Sequence, residues 1–396
     1  MVHNVFPLTD DENLQKSSIV TYTVIDNRHL VYVDDSNLLH FLNIEQSTQN
    51  IGKSKLIKTV NLGSYNTRQI KKLIYHEYEN NGMYLIWSDD TSISWAKLDR
   101  LLLYSAVSDD LQNCSQKQLS YKWKLNDPYA RIMDFQACNK SHMMLFFVVT
   151  NTGSIINFRF YKELSKRSLQ ILEHRVTKKP RPKNSSSNAK YVFKQDNLVS
   201  HFKKIAHDSF SELKLFSSTS TYVIATCYDN NIYCFQVCAT TQKLQFIGKN
   251  DTIVKTLPLN TTNQITSTLD VLQRTGSQIF KLVVNVNNYG CVLLSLSIQD
   301  AQWNFQIIKA YKLKKLCETM AKIGVSLFCD GSKCFVLRGS ERGSLYQWNT
   351  ETHRGQKLYS FGKNSDSLVH SFIKSNSQNG NESIYWLQNT ETIQIL

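Results

Sequence analysis

Seven times along this chain an apolar run meets a short corner of Asp, Asn, Ser, Thr or Gly and continues into a second apolar run. That recurrence constrains the fold more than any other feature, because a repeated unit that cannot bury its own apolar surface must stack on its neighbours. The copies read HLVYVDDSNLLHFLNI from His29, MYLIWSDDTSISWAKL from Met83, HMMLFFVVTNTGSIINFRF from His142 and YVIATCYDNNIYCFQV from Tyr222. KLVVNVNNYGCVLLSL from Lys281, CFVLRGSERGSLYQW from Cys334 and SIYWLQNTETIQIL from Ser383 complete the set. The first residues after the corners are Leu38, Ile93, Ile155, Ile232, Cys291, Leu345 and Ile393, spaced 48 to 77 residues apart. Asn, Asp and Gly suit such corners because they tolerate the positive φ of tight hairpin turns.

Three residues beyond each marker stand Phe41, Ala96, Phe158, Phe235, Leu294, Trp348 and Leu396. The second strand of the unit therefore places apolar side chains at odd as well as even offsets, which would leave half of them in water if one sheet face were exposed. Both faces must be covered, and a ring of small sheets packed face to face does this. The expected fold is an all-β, seven-bladed β-propeller formed by residues 1–396 as one domain. Further β-type runs supply outer strands: SIVTYTV at Ser18, KLIKTVNL at Lys55, LSYKWKL at Leu119, KLQFIG at Lys243, NFQIIKAYKL at Asn304 and QKLYSF at Gln356. The last copy ends at Leu396 without an outermost strand, and the N-terminal VHNVFPL offers one, so the ring is expected to close by pairing the two ends. Helical patterning is confined to YKELSKR from Tyr161 and KLKKLCETMAKIG from Lys312.

Gly343-Ser344-Leu345-Tyr346-Gln347-Trp348-Asn349 resembles the end of a WD repeat, in which a Gly-Ser/Thr corner leads into an apolar strand closing on Trp-Asp. Thr350 to Phe361 resembles the passage into the fourth strand of that repeat, and the copies at Gly153 and Asn231 match it in outline, with Phe158 and Phe235 where Trp would stand. The chain contains no Trp-Asp and no Gly-His dipeptide, so the buried His/Asp network of the family passes to no particular residue. The resemblance implies a propeller that serves as a rigid platform for other proteins without activity of its own.

Charge is unevenly spread. The formal net charge is +14, and the stretch from Lys162 to Lys204 holds twelve Lys/Arg against three Asp/Glu. Its centre, HRVTKKPRPKNSSSNAK from His174 to Lys190, carries two of the five prolines and coincides with the widest gap between copies. Residues 174–190 therefore read as a flexible basic insertion between the third and fourth blades. Lys178, Lys179, Arg181 and Lys183 are candidates for a nuclear-import signal or for contact with an acidic partner or nucleic acid, beside the plainer reading of a solvated loop. Three aromatics, Tyr191, Phe193 and Phe202, are too few for a base-stacking platform.

Other chemistry finds little support. There is no Gly-x4-Gly-Lys-Ser/Thr, no Gly-x-Ser-x-Gly and no His-Glu-x2-His. Arg338 to Gly343 fits a strand corner, and the pairs Asp34-Asp35 and Asp89-Asp90 occupy equivalent corners where turn chemistry accounts for them. His201 and His207, near Asp208, lack further ligands at metal spacing, and Cys234 and Cys238 lie four apart on a strand without a second pair. The nine cysteines fall mostly in apolar runs and read as buried free thiols of a reducing compartment. The start of the chain has acidic residues where a secretory signal needs basic and apolar ones, and no run approaches a membrane span. The expectation is a non-catalytic scaffold subunit of a nuclear multiprotein complex, with the cytoplasm as the alternative site, needing no cofactor, metal, small-molecule substrate or membrane. The alternative function is a nucleic-acid-binding accessory subunit that supports a catalytic partner.

Overall fold

A computed structural model describes residues 3–4, 18–26, 29–44, 54–62, 68–78, 82–103, 120–140, 143–164, 191–197, 205–217, 220–258, 269–273, 279–299, 302–313, 323–330, 333–360, 369–376, 382–388 and 392–395. Their strands form seven four-stranded antiparallel sheets. The first contains β2 (Ile19–Val24), β3 (His29–Asp34), β4 (Leu38–Ile44) and β5 (Ser54–Asn61), in that spatial order. The second is β6 (Lys72–Tyr78), β7 (Gly82–Ser88), β8 (Ser92–Lys97) and β9 (Tyr121–Lys124), and the third β10 (Ile132–Lys140), β11 (Met143–Thr150), β12 (Ile155–Leu164) and β13 (Tyr191–Asn197). The fourth is β14 (Phe210–Ser217), β15 (Thr221–Cys227), β16 (Ile232–Val237) and β17 (Leu244–Asn250). The fifth is β18 (Leu269–Gln273), β19 (Ile279–Val286), β20 (Gly290–Gln299) and β21 (Gln302–Lys312), and the sixth β22 (Val325–Asp330), β23 (Lys333–Arg338), β24 (Ser344–Asn349) and β25 (Gly355–Ser360). In the seventh, β26 (Val369–Asn376), β27 (Glu382–Gln388) and β28 (Thr392–Ile395) are joined by β1 (His3–Asn4), with His3 opposite Ile395 and Asn4 opposite Gln394.

The sheets pack as a β-propeller. The first strand of each touches the first strand of the next, β2 to β6, β6 to β10 and onward to β22, β26 and back to β2. Between neighbouring sheets lies an apolar core that both supply. Val31, Phe41, Leu85 and Trp87 join the first and second sheets, Trp95, Phe146 and Phe158 the second and third, and Leu145, Phe147, Val223 and Phe235 the third and fourth. Ile224, Ile232, Leu282 and Leu294 join the fourth and fifth, and Leu30, Tyr32 and Ile393 the first and seventh. This is why the second strand of the unit, third in its sheet, carries apolar residues at odd as well as even offsets: Phe158, Phe235 and Leu294 are completely buried beside Ile155, Ile232 and Cys291. Trp348 lies across a sheet boundary, stacked on Tyr311 of β21 with ring centroids 5.0 Å apart.

The corners are built as their residues demand. Asn37, Asn230 and Asn288 adopt φ of 60°, 64° and 55°, and Gly153 and Gly343 adopt 74° and 66°. At Gly153 a Cβ would also stand 2.2 Å from the Ala206 carbonyl oxygen, so glycine is required there for space as well as for conformation. The Asp34 carboxylate accepts hydrogen bonds from the Ser36 and Leu38 amides, and Asp89 caps its own corner in the same way.

Four expectations are corrected. Tyr161 to Leu164 belong to β12 rather than to a helix, because β12 pairs on both sides with β11 and β13; Lys312 likewise ends β21, and 314–322 lie outside the described residues. The helices among the described residues are α1 (Leu98–Leu103) and α2 (Thr252–Thr256), each less than two turns long and too short to show a period in sequence. Residues 174–190 also lie outside the described residues, but the strands on either side, β12 and β13, pair within the third sheet. The basic stretch therefore connects two strands of one sheet, not two blades. Finally, Cys329 and Cys334 are not free thiols: they face each other across the β22–β23 hairpin, Cα atoms 4.2 Å apart, and are joined by a disulfide. Cys227, Cys234 and Cys291 are buried and outside any disulfide, as expected.

Candidate partner-binding surface

Because the first strands line the centre of the propeller, polar residues on them meet one another. Asp134 of β10 accepts hydrogen bonds from Lys72 Nζ (2.5 Å) and its neighbour Phe135 N through Oδ1, and from Leu213 N of β14 through Oδ2. Asp270 of β18 repeats the arrangement, with Oδ2 accepting from Leu327 N and Ser326 Oγ of β22 and from Lys374 Nζ of β26 at 2.6 Å. Thr21 and Thr23 of β2 use their hydroxyl oxygens to accept from Leu73 N and Tyr75 N of β6. Each of these side chains takes up a backbone N–H on the next sheet's inner strand, a bond that strand geometry alone does not provide.

Glu212 and Lys214 of β14, 3.4 Å apart, extend the charged belt. Burial opposes ionisation of the Asp270 carboxyl, but Lys374, Lys214 and the hydrogen bonds outweigh it and hold its pKa below the ordinary value. Burial also opposes the Lys214 ammonium, and here Glu212, Asp270 and Asp134 prevail and raise its pKa. At Lys72 burial wins over the attraction of Asp134, and its pKa is lowered. Among the described residues, the belt pairs three cations with three carboxylates. Its signal in the sequence was weak: single charged residues inside short apolar runs.

A second polar network occupies the first sheet. His40 Nε2 lies 2.9 Å from Asp34 Oδ2, His40 Nδ1 lies 3.1 Å from Thr59 Oγ1, and Tyr32 stacks on the imidazole. His40 and Asp34 are buried, and the hydrogen bond from His40 helps to lower the Asp34 pKa against the opposing effect of burial. No dipeptide motif marks this pair; it depends on β3, β4 and β5 coming together.

Beside the Asp89 corner opens a cavity of about 550 Å³, lined by Arg68 from the connection between β5 and β6, by Asp89, Thr91 and Ser92, by Lys122 and Lys124 of β9, and by residues 125–128. Trp123, between the two lysines, turns the other way and stacks on Phe158 of the third sheet at 4.7 Å, so Lys122 and Lys124 share the opposite face of β9. The carboxylates here are already engaged. Asp89 accepts from the Thr91 and Ser92 amides and from both hydroxyls, and Asp127 Oδ1 accepts from Tyr129 N. Arg68, Lys122 and Lys124 are exposed, as is Tyr129, the residue after Pro128 in the chain.

Of the residues singled out in sequence, Lys178, Lys179, Arg181, Lys183 and His201 lie outside the described residues. His207 is exposed, and no cluster of three His, Cys, Asp or Glu side chains that could hold a metal occurs among the described residues. No described helix is long and apolar enough to cross a membrane. The propeller matches solved structures along its whole length. Its fold is that of the WD40 β-propellers. The WD40 β-propeller domain of Doa1 superposes with a TM-score of 0.55 at 9% identity, covering 100% of this chain and 96% of that one. Sqt1 of Saccharomyces cerevisiae gives 0.56 at 12% identity, covering 100% and 99%. In sequence, by contrast, no family and no curated protein matches. The likeness is one of fold, without a matching sequence motif.

Proposed function

We propose that this chain is a non-catalytic scaffold, a seven-bladed propeller latched by its N-terminal strand, that holds protein partners together as a subunit of a nuclear multiprotein complex. The observation that carries the reading is the WD40-type fold, a class that generally binds proteins and lacks catalysis of its own, combined with a centre in which every described charge is matched. The pairing of β1 with β28 and the seven shared cores support the latched ring. Deletion of residues 1 to 10 then lowers the thermal midpoint markedly, and an unchanged midpoint removes the latch from the proposal. The basic residues Lys178, Lys179, Arg181 and Lys183 support nuclear import. Replacing all four by Ala shifts a fluorescent fusion from nucleus to cytoplasm, whereas an unaltered distribution argues for a solvated loop. Gentle affinity purification of the tagged full chain recovers partners in stoichiometric amounts; recovery of the chain alone overturns the scaffold.

A further inference from the structure

We propose that Cys329 and Cys334 form a reversible dithiol–disulfide switch that adjusts the exposed corner at residues 349–354, where the fifth and sixth sheets meet. The inference rests on the reducing compartment of the proposed function for its reductant. A disulfide that forms in such a compartment is as a rule transient, catalytic or redox-sensing, because the thiol pool keeps other cysteines reduced. This one is not needed to hold its hairpin. β22 and β23 pair through six successive partners, from Val325 opposite Arg338 to Asp330 opposite Lys333, and the two cysteines are only 5 residues apart in sequence. A cross-link that closes so short a loop removes least entropy from the unfolded chain, so opening it leaves the fold standing.

Position gives the bond its consequence. By strand alternation Cys329 shares a face of β22 with Leu327, and Cys334 shares a face of β23 with Val336. Leu327 and Val336 belong to the core that the sixth sheet shares with Val283, Leu293 and Tyr311 of the fifth. Bonded sulfurs stand about 2 Å apart and unbonded ones about 3.5 Å or more, so reduction displaces a side chain on that shared face. The Cys334 carbonyl accepts from the Thr350 amide at 2.9 Å, and Thr350 Oγ1 accepts from Lys281 Nζ of β19 at 3.0 Å. The corner that follows carries Glu351, Thr352 and Arg354 into solvent, with His353 Nδ1 3.1 Å from the Tyr311 hydroxyl of β21. Movement at Cys334 therefore reaches the surface through one hydrogen bond.

Two thiols balance the exchange. A glutathione thiolate attacks the sulfur of half-buried Cys329, the S–S bond breaks, and buried Cys334 leaves as a thiolate that takes up a proton. A second thiolate attacks the glutathione sulfur of the mixed disulfide, freeing Cys329 and departing as oxidised glutathione. Oxidised glutathione closes the pair by the reverse steps.

The test equilibrates the full chain in glutathione buffers running from the oxidised form to a roughly hundredfold excess of the reduced form, then alkylates with N-ethylmaleimide after an acid quench. Mass spectrometry of the peptide holding both cysteines reads the state of the pair. It is closed at the oxidised end, open at the reduced end and closed again on return, with the far-UV circular dichroism unchanged. Hydrogen exchange of the Thr350 and His353 amides in the same samples quickens severalfold when the pair opens. Cys329→Ser/Cys334→Ser exchanges fast in every buffer, and so does Cys329→Ala/Cys334→Ala, which buries no new hydroxyl. A pair that stays closed in the reduced buffer is a structural staple, and one that stays open in the oxidised buffer is no disulfide. Either result overturns the switch, as does exchange indifferent to the state of the pair or loss of the sheet signal on reduction. The buffers supply the reductant, so these outcomes leave the scaffold standing; it fails only if the purified wild-type chain brings no partner with it.

Discussion

The centre of the propeller and the cavity at the Asp89 corner use the same residue types to opposite ends. In the centre, Asp134 and Asp270 each bind a half-buried lysine and an amide of the neighbouring inner strand, and both carboxylate residues are buried. At the corner, Arg68, Lys122 and Lys124 stand in solvent beside carboxylates spent on their own turn. Charge that is buried and matched holds sheets together, whereas charge in solvent is already stabilised by water. The distinction is one of environment, because an ion pair at the surface contributes little and a broken pair in the interior costs a great deal.

The comparison breaks most visibly in stability. Asp270→Ala leaves Leu327 N, Ser326 Oγ and the Lys374 ammonium short of their acceptor, and should destabilise the fold by about 3 kcal/mol in urea denaturation. A loss below 1 kcal/mol would mean that water replaces the carboxylate and that the belt is not structural. Asp134→Ala follows the same reasoning through Lys72 and Leu213 N. A double-mutant cycle between Asp270→Asn and Lys374→Met sharpens the point, with an expected coupling of about 1 kcal/mol or more; additivity would show that the pair is incidental.

Acid separates the two regions next. The Asp270 pKa is lowered in the folded chain, so its contribution is present above the unfolded value of about 3.9 and is lost as pH falls through the folded value. Stability of the wild type therefore declines on acidification below about pH 4, and Asp270→Asn makes that decline shallower. Lys214 works at the other end. Its raised pKa gives stability that is present below about pH 10.4 and lost as pH climbs through the folded value, and Lys214→Met flattens that alkaline limb. The smallest effect belongs to the cavity: Arg68→Glu/Lys122→Glu/Lys124→Glu should change unfolding free energy by no more than about 0.5 kcal/mol. A larger change would assign these cations to the fold.

The sequence by itself determined the repeating unit. Hairpin corners at Asn37, Asn230 and Gly343 and two-sided burial around Phe158, Phe235 and Leu294 follow from local rules of turn conformation and strand period, which act within a dozen residues and need no knowledge of the rest. Acceptance of turn amides by Asp34 and Asp89 was legible for the same reason. The inner strands were not, since β10, β14 and β18 carry Asp134, Glu212, Lys214 and Asp270 among their apolar residues and so lack a clean alternation. Strand pairing within a sheet decided that His40 reaches Asp34 and Thr59, that Cys329 joins Cys334 and that 174–190 connects two strands of one sheet, while the packing of sheet on sheet decided that Asp134 meets Lys72 and Asp270 meets Lys374. It also brought Arg68 to Lys122 and Lys124. Residues dozens of positions apart become neighbours only when the sheets are arranged about an axis, and no local preference of the chain encodes that meeting.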